Sequence, residues 1–176
     1  YILFTPETYW YPRPGVAYSD KYPDWQQVYF SHFKVNIRPL PGLTGITQGK
    51  LEEESEEGAF NYVSDDRSQS ATLIIGRYSQ VSALSDSISF SIHYLEGHDY
   101  FSAELDTIRD TIPTILSEVR QQFERNYKLQ YPFKRFSVVE VPAQFHSYPR
   151  AWTQAQEAMQ PEMTLFMEKG WTSWDM

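Results

Sequence analysis

The sequence predicts an α+β fold: an antiparallel, sandwich-like β domain over residues 1–100, then a long helix and strands that open an incomplete domain over residues 101–176. Three observations predict it. Apolar and polar residues alternate with period two before Gly97, apolar residues recur every three or four positions after it, and short apolar runs return beyond Tyr131. Strands followed by helix and strand are the element order of an α+β chain.

Residues 29–38 place Phe33, Val35 and Ile37 on one side and His32, Lys34, Asn36 and Arg38 on the other, which is a half-buried strand. It stops at Pro39-Leu40-Pro41-Gly42, where two prolines remove ladder donors and glycine permits a turn. Further strands are expected at residues 43–48, 59–64, 71–78 and 87–94. In the last of these Ile88, Phe90, Ile92 and Tyr94 oppose Ser87, Ser89, Ser91 and His93. Between them the acidic run at residues 52–57 repels itself and belongs at a solvated hairpin tip.

Leu105, Ile108, Ile112, Leu116, Val119, Phe123 and Tyr127 then lie along one side of a helix, with Ser102 as its N-cap and Arg120, Arg125 and Lys128 at its negative end. Pro113 lacks a backbone donor, so a kink or break is expected there. A buried strand at residues 136–141, a short helix at about 149–158 and a strand at 163–167 complete the reading.

Composition narrows the function. With 15 Lys and Arg against 23 Asp and Glu, the net charge of −8 leaves no basic stripe for nucleic acid. The absence of cysteine removes disulfides, thiol catalysis and thiolate metal sites. No apolar run is long enough to span a bilayer, so the chain is expected to be a soluble domain. It opens at Tyr1 without an initiator Met or a leader, which reads as a piece of a longer polypeptide. H-E-x-x-H and G-x-S-x-G are absent, and Gly45-Ile46-Thr47-Gln48-Gly49-Lys50-Leu51 is one residue short of a phosphate loop. His93, Glu96 and His98 sit close in sequence but read as an ordinary polar turn. Glu140, between Val139 and Val141, is expected to point out of the pleat to solvent.

One segment carries a family likeness. Tyr131-Pro132-Phe133-Lys134-Arg135-Phe136-Ser137-Val138-Val139-Glu140-Val141-Pro142-Ala143-Gln144-Phe145 resembles the Y-P-x-x-K-L-D-x-V-x-V-P-x-F stretch that enters the catalytic domain of aminopeptidase N-like gluzincin peptidases. Arg135, Phe136 and Ser137 stand where Lys, Leu and Asp are usual, and Ala143-Gln144 adds a residue. The wording around Gln160-Pro161-Glu162-Met163 looks most like a bacterial subgroup fused to ABC-type transporter permeases.

The resemblance implies a non-catalytic wall of a substrate cleft in a bacterial membrane-associated protein, whose partners are the remainder of its own chain and a peptide substrate. The family's zinc helix lies C-terminal to this motif. No catalytic residue, metal ligand or cofactor is therefore expected within this span, and a zinc aminopeptidase is the activity offered for the parent, unless that parent is peptidase-shaped but inactive. Glu162, in the region of the family's G-A-M-E-N strand, is the expected binder of the peptide amine, with Met159 and Gln160 beside it. The alternative is an extracytoplasmic ligand- or carbohydrate-binding module that stacks sugars on Trp10, Trp25, Trp171 or Trp174.

Overall fold

The computed structural model describes residues 1–8, 10–12, 30–54, 58–99, 107–142 and 159–167. The helix expected at 149–158, the Ser102 cap, Trp25, Trp171 and Trp174 lie outside the described residues. Among the described residues eleven strands and one long helix follow in order: β1 (Ile2–Phe4), β2 (Lys34–Ile37), β3 (Thr44–Ile46), β4 (Lys50–Glu54), β5 (Phe60–Val63), β6 (Leu73–Gly76), β7 (Tyr78–Ser85), β8 (Ile88–Leu95), α1 (Ile112–Tyr127), β9 (Arg135–Val141), β10 (Met159–Gln160) and β11 (Met163–Met167). The fold is α+β with a β-rich part, as expected from the sequence.

Three sheets stack, and the alternation of β6 explains how. A first sheet, ordered β1-β6-β3, is antiparallel, and a second, ordered β2-β5-β4, is antiparallel as well. Ile74 on β6 packs, with its sheet neighbour Ile46, against Val139, Val141, Met163 and Leu165 of the third sheet. Its neighbours Leu73 and Ile75 pack instead on Ile37, Phe60 and Tyr62 of the second sheet. Successive side chains of a strand face opposite ways, so β6 serves two cores at once. Gly45 on β3 permits the close approach, because a Cβ there would lie 2.6 Å from Ile37 Cγ2.

The third sheet runs β10-β11-β9-β8-β7. β8, β9 and β11 are parallel to one another, while β7 and β10 run antiparallel at its two edges. The division expected at residue 100 falls after the β7–β8 hairpin, and the ladder crosses it: Ile92 pairs with Val138 and His93 with Val139. The stretch expected as one strand at 71–78 is broken at Arg77, where the chain passes from the first sheet to the third. The hairpin turns on Asp86 and Ser87, both at positive φ (48° and 68°), as a type I′ turn requires.

Helix α1 begins at Pro113's doorstep. Pro113 occupies the first turn, where its missing N–H is not needed, so of the kink or break expected there the chain shows the break: turns at residues 108–111, and a helix that starts afresh at Ile112. Lys128, left-handed at φ 53°, ends it. Polar contacts tie it to the hairpin: Ser85 donates to the Pro113 carbonyl (2.6 Å), Ser117 donates to Asp86, and Arg120 pairs with Asp86 (2.8 Å) as well as with Glu124 one turn on in the helix (3.0 Å). None of the helix residues is buried, and Ile115, Val119, Phe123 and Tyr127 are exposed. Of the apolar side expected along the helix, Ile112 and Leu116 are half-buried, and Ile108, Val119, Phe123 and Tyr127 are exposed.

Candidate functional site

The resemblance directs attention to the β10–β11 turn and to the strand beside it. Met159 and Gln160 form β10 and pair with Thr164 and Met163 across the two-residue loop Pro161-Glu162. Proline fixes the first turn position, and Glu162 follows at φ 60°, the order of a type II turn, in which glycine or asparagine is usual at the second position. A glutamate there is strained, and its side chain shows what holds it.

Glu162 Oε1 accepts from Arg135 of β9 (3.0 Å), and Oε2 accepts from the Gly49 N–H (2.8 Å). Its carbonyl accepts from the Ser137 N–H (2.8 Å), which seats the turn on β9. Arg135 reaches on to Asp65 after β5 (2.7 Å). Gly49 has φ 97°, and a Cβ would stand 2.7 Å from the Val63 carbonyl oxygen, so no other residue could offer its N–H there without moving β5. One carboxylate thus joins the β3–β4 corner to the third sheet. The Tyr131 hydroxyl donates to the Arg135 carbonyl (2.7 Å). Burial first, and the Glu162 charge second, hold that phenol well above its usual range, so it stays a donor.

The structure brings Met159, Gln160 and Glu162 to one hairpin, with Glu162 between Arg135 and Gly49. An amine would have to share the carboxylate with the guanidinium. Sequence reasoning missed Arg135, Gly49 and Asp65 as its neighbours. Arg135 had a signal, since it is the position where the family motif has lysine, a cation beside the same strand. Gly49 and Asp65 are 113 and 97 positions from Glu162 in sequence, and only the stacking of sheets joins them.

A second set of polar groups lies at the carboxyl ends of the parallel strands β8 and β9. Glu140 is 3% exposed, a correction to the expectation that it faces solvent. The pleat is as expected, because Val139 and Val141 face the core at 0%. The opposite face is closed at this point: the Leu95 N–H donates to Glu140 Oε2 (2.7 Å), and His98 Nδ1 donates to Oε1 (3.0 Å). Tyr78 donates to the Glu140 carbonyl (2.7 Å).

His93, on the polar side of its strand, is 7% exposed because that side, paired with Val139, faces the core. Its Nε2 is 3.2 Å from the Ser91 hydroxyl, and Nδ1 has no partner among the described residues. Burial pushes this imidazole down to about 4. Glu96 instead lies 3.8 Å from Arg77, so His93, Glu96 and His98 point to three different neighbours. Among the described residues no group of three His, Cys, Asp or Glu could hold a metal ion. Trp10 donates its indole N–H inward to the Ala71 carbonyl (3.1 Å) and meets Tyr11 edge to face. No described helix is long and apolar enough to cross a membrane.

No family model matches the chain, and no curated protein matches it.

Proposed function

We propose that this chain is the non-catalytic wall and support of an aminopeptidase N-like, zinc metallopeptidase-like region within a larger bacterial protein associated with a transporter permease. One observation carries the reading. The segment that resembles the family's entry strand forms β9, flanked in parallel by β8 and β11, and Glu162 follows in the turn that opens β11. The resemblance implies that a strand carrying the acid follows the entry strand; here the acid, Glu162, stands in the turn immediately before that strand.

The chemistry of the two placed carboxylates supports a supporting role. Glu140 accepts from Leu95 and His98, and Glu162 accepts from Arg135 and Gly49, so both serve to join elements. In the proposed parent the β10–β11 hairpin edges the cleft, where a carboxylate selects the ammonium of a peptide terminus. Zinc would lower the pKa of a bound water and polarise the scissile carbonyl, from ligands outside this span.

The test is an assay of the purified chain on an aminoacyl p-nitroanilide, with metal removed and with zinc restored, beside the longer polypeptide that contains it. The chain alone should neither turn over substrate nor bind zinc stoichiometrically, and the longer polypeptide should do both. Hydrolysis by the metal-free chain, or a longer polypeptide with no zinc-binding helix after this segment, overturns the reading.

A further inference from the structure

A small crevice between the β3–β4 corner and the β10–β11 turn carries an inference independent of the peptidase reading. Gln48 and Glu162 line it, with Phe33 and Phe133 as apolar walls and Asp66 and Arg67 as further charged neighbours. It has room for about one water molecule.

Gln48 is 8% exposed. Its Oε1 accepts from the Thr72 N–H (2.7 Å) and lies 3.4 Å from the Thr47 hydroxyl, which fixes the orientation of the amide, because a backbone N–H needs an oxygen. Nε2 is left without a protein partner among the described residues. Buried amide hydrogens with no acceptor are costly, and native structures rarely leave them so.

The charges around the crevice choose the occupant. An anion would meet Glu162 and Asp66, a cation would meet the amide hydrogens and Arg67, and an apolar group would leave Nε2 unsatisfied. A group that accepts from an amide and donates to a carboxylate satisfies both sides. Glu162 has the capacity, since each of its oxygens has a second lone pair beyond the bonds to Arg135 and Gly49.

We propose that the crevice is a water site, in which one buried water accepts from Gln48 Nε2 and donates to Glu162. The water extends the Glu162–Arg135–Gly49 connection by one more link between the β domain and the third sheet.

A crystal structure of the chain at about 1.5 Å tests this directly. The expected result is one solvent peak between about 2.7 and 3.2 Å from both Gln48 Nε2 and a Glu162 oxygen. Oxygen-17 relaxation dispersion should count one long-lived water fewer in Gln48→Met than in the unaltered chain. A dry crevice, a peak that touches only one of the two groups, an organic additive in its place, or an unchanged water count in a folded Gln48→Met overturns the proposal. Should the variant not fold, the density in the unaltered chain decides alone.

Discussion

Glu162 is held in a left-handed backbone by the bonds its own side chain makes, and the two contributions can be separated by substitution. Glu162→Ala removes both hydrogen bonds and keeps the strained φ of 60°, and a loss of about 2–3 kcal/mol is expected in urea unfolding. Glu162→Gly removes the same bonds but accepts positive φ, and should be about 1 kcal/mol more stable than the alanine variant. Equal loss in the two would show that the turn stores no strain. His93 gives a pH signature of known sign. Its folded value of about 4 lies below the ordinary 6.5, so the unfolded chain takes up the proton first as pH falls. The stability contribution is whole above about pH 6.5 and drains away as pH falls toward 4, by about 3 kcal/mol. Urea midpoints at pH 7 and pH 4.5 should converge in His93→Leu relative to the unaltered chain, and an undiminished gap would contradict the burial argument. Neither feature was visible in the sequence: a Pro-Glu pair does not announce a left-handed glutamate, and the period-two pattern put His93 on a polar face without saying that a second sheet covers it.

Among the elements, those with strong periodicity were legible and those set by turn geometry were not. Val35 and Ile37 alternate with exposed Lys34 and Asn36 as the pattern requires, and β8 and β9 lie within a residue of their expected bounds. β7 was missed because Ser79, Ser82 and Ser85 dilute its apolar signal and because Asp86-Ser87 forms a type I′ turn without the usual glycine. For α1 the pattern gave the period but not the partners, which at the hairpin tip are Ser117 and Arg120. The exposed end of its apolar side makes a prediction. Phe123 is 59% exposed, so Phe123→Gln should change the chain's stability by less than about 0.5 kcal/mol, as for an ordinary surface site. A loss above about 2 kcal/mol in thermal or urea unfolding would place Phe123 in a core after all.

At the scale of the molecule, β6 decides whether the layers stand or fall together. Ile74 is 0% exposed and touches the core shared with β9 and β11, while Leu73 and Ile75 serve the other core. Ile74→Ala should cost about 2–5 kcal/mol, and circular dichroism and tryptophan fluorescence should report one coincident transition for the variant. Two separated transitions would mean that the layers unfold independently. The α+β class was legible, because it depends on periods within segments. The stacking of three sheets was not, because it depends on which segments meet. The parallel pairing of β8 with β9 has a further consequence during synthesis. β9 begins about forty residues after β8 ends. A ribosome adding about 5–20 residues per second therefore leaves the nascent hairpin with an unclaimed border for roughly 2–8 seconds. Any chaperone that recognises bare strand borders has that interval in which to guard it against pairing with a stranger.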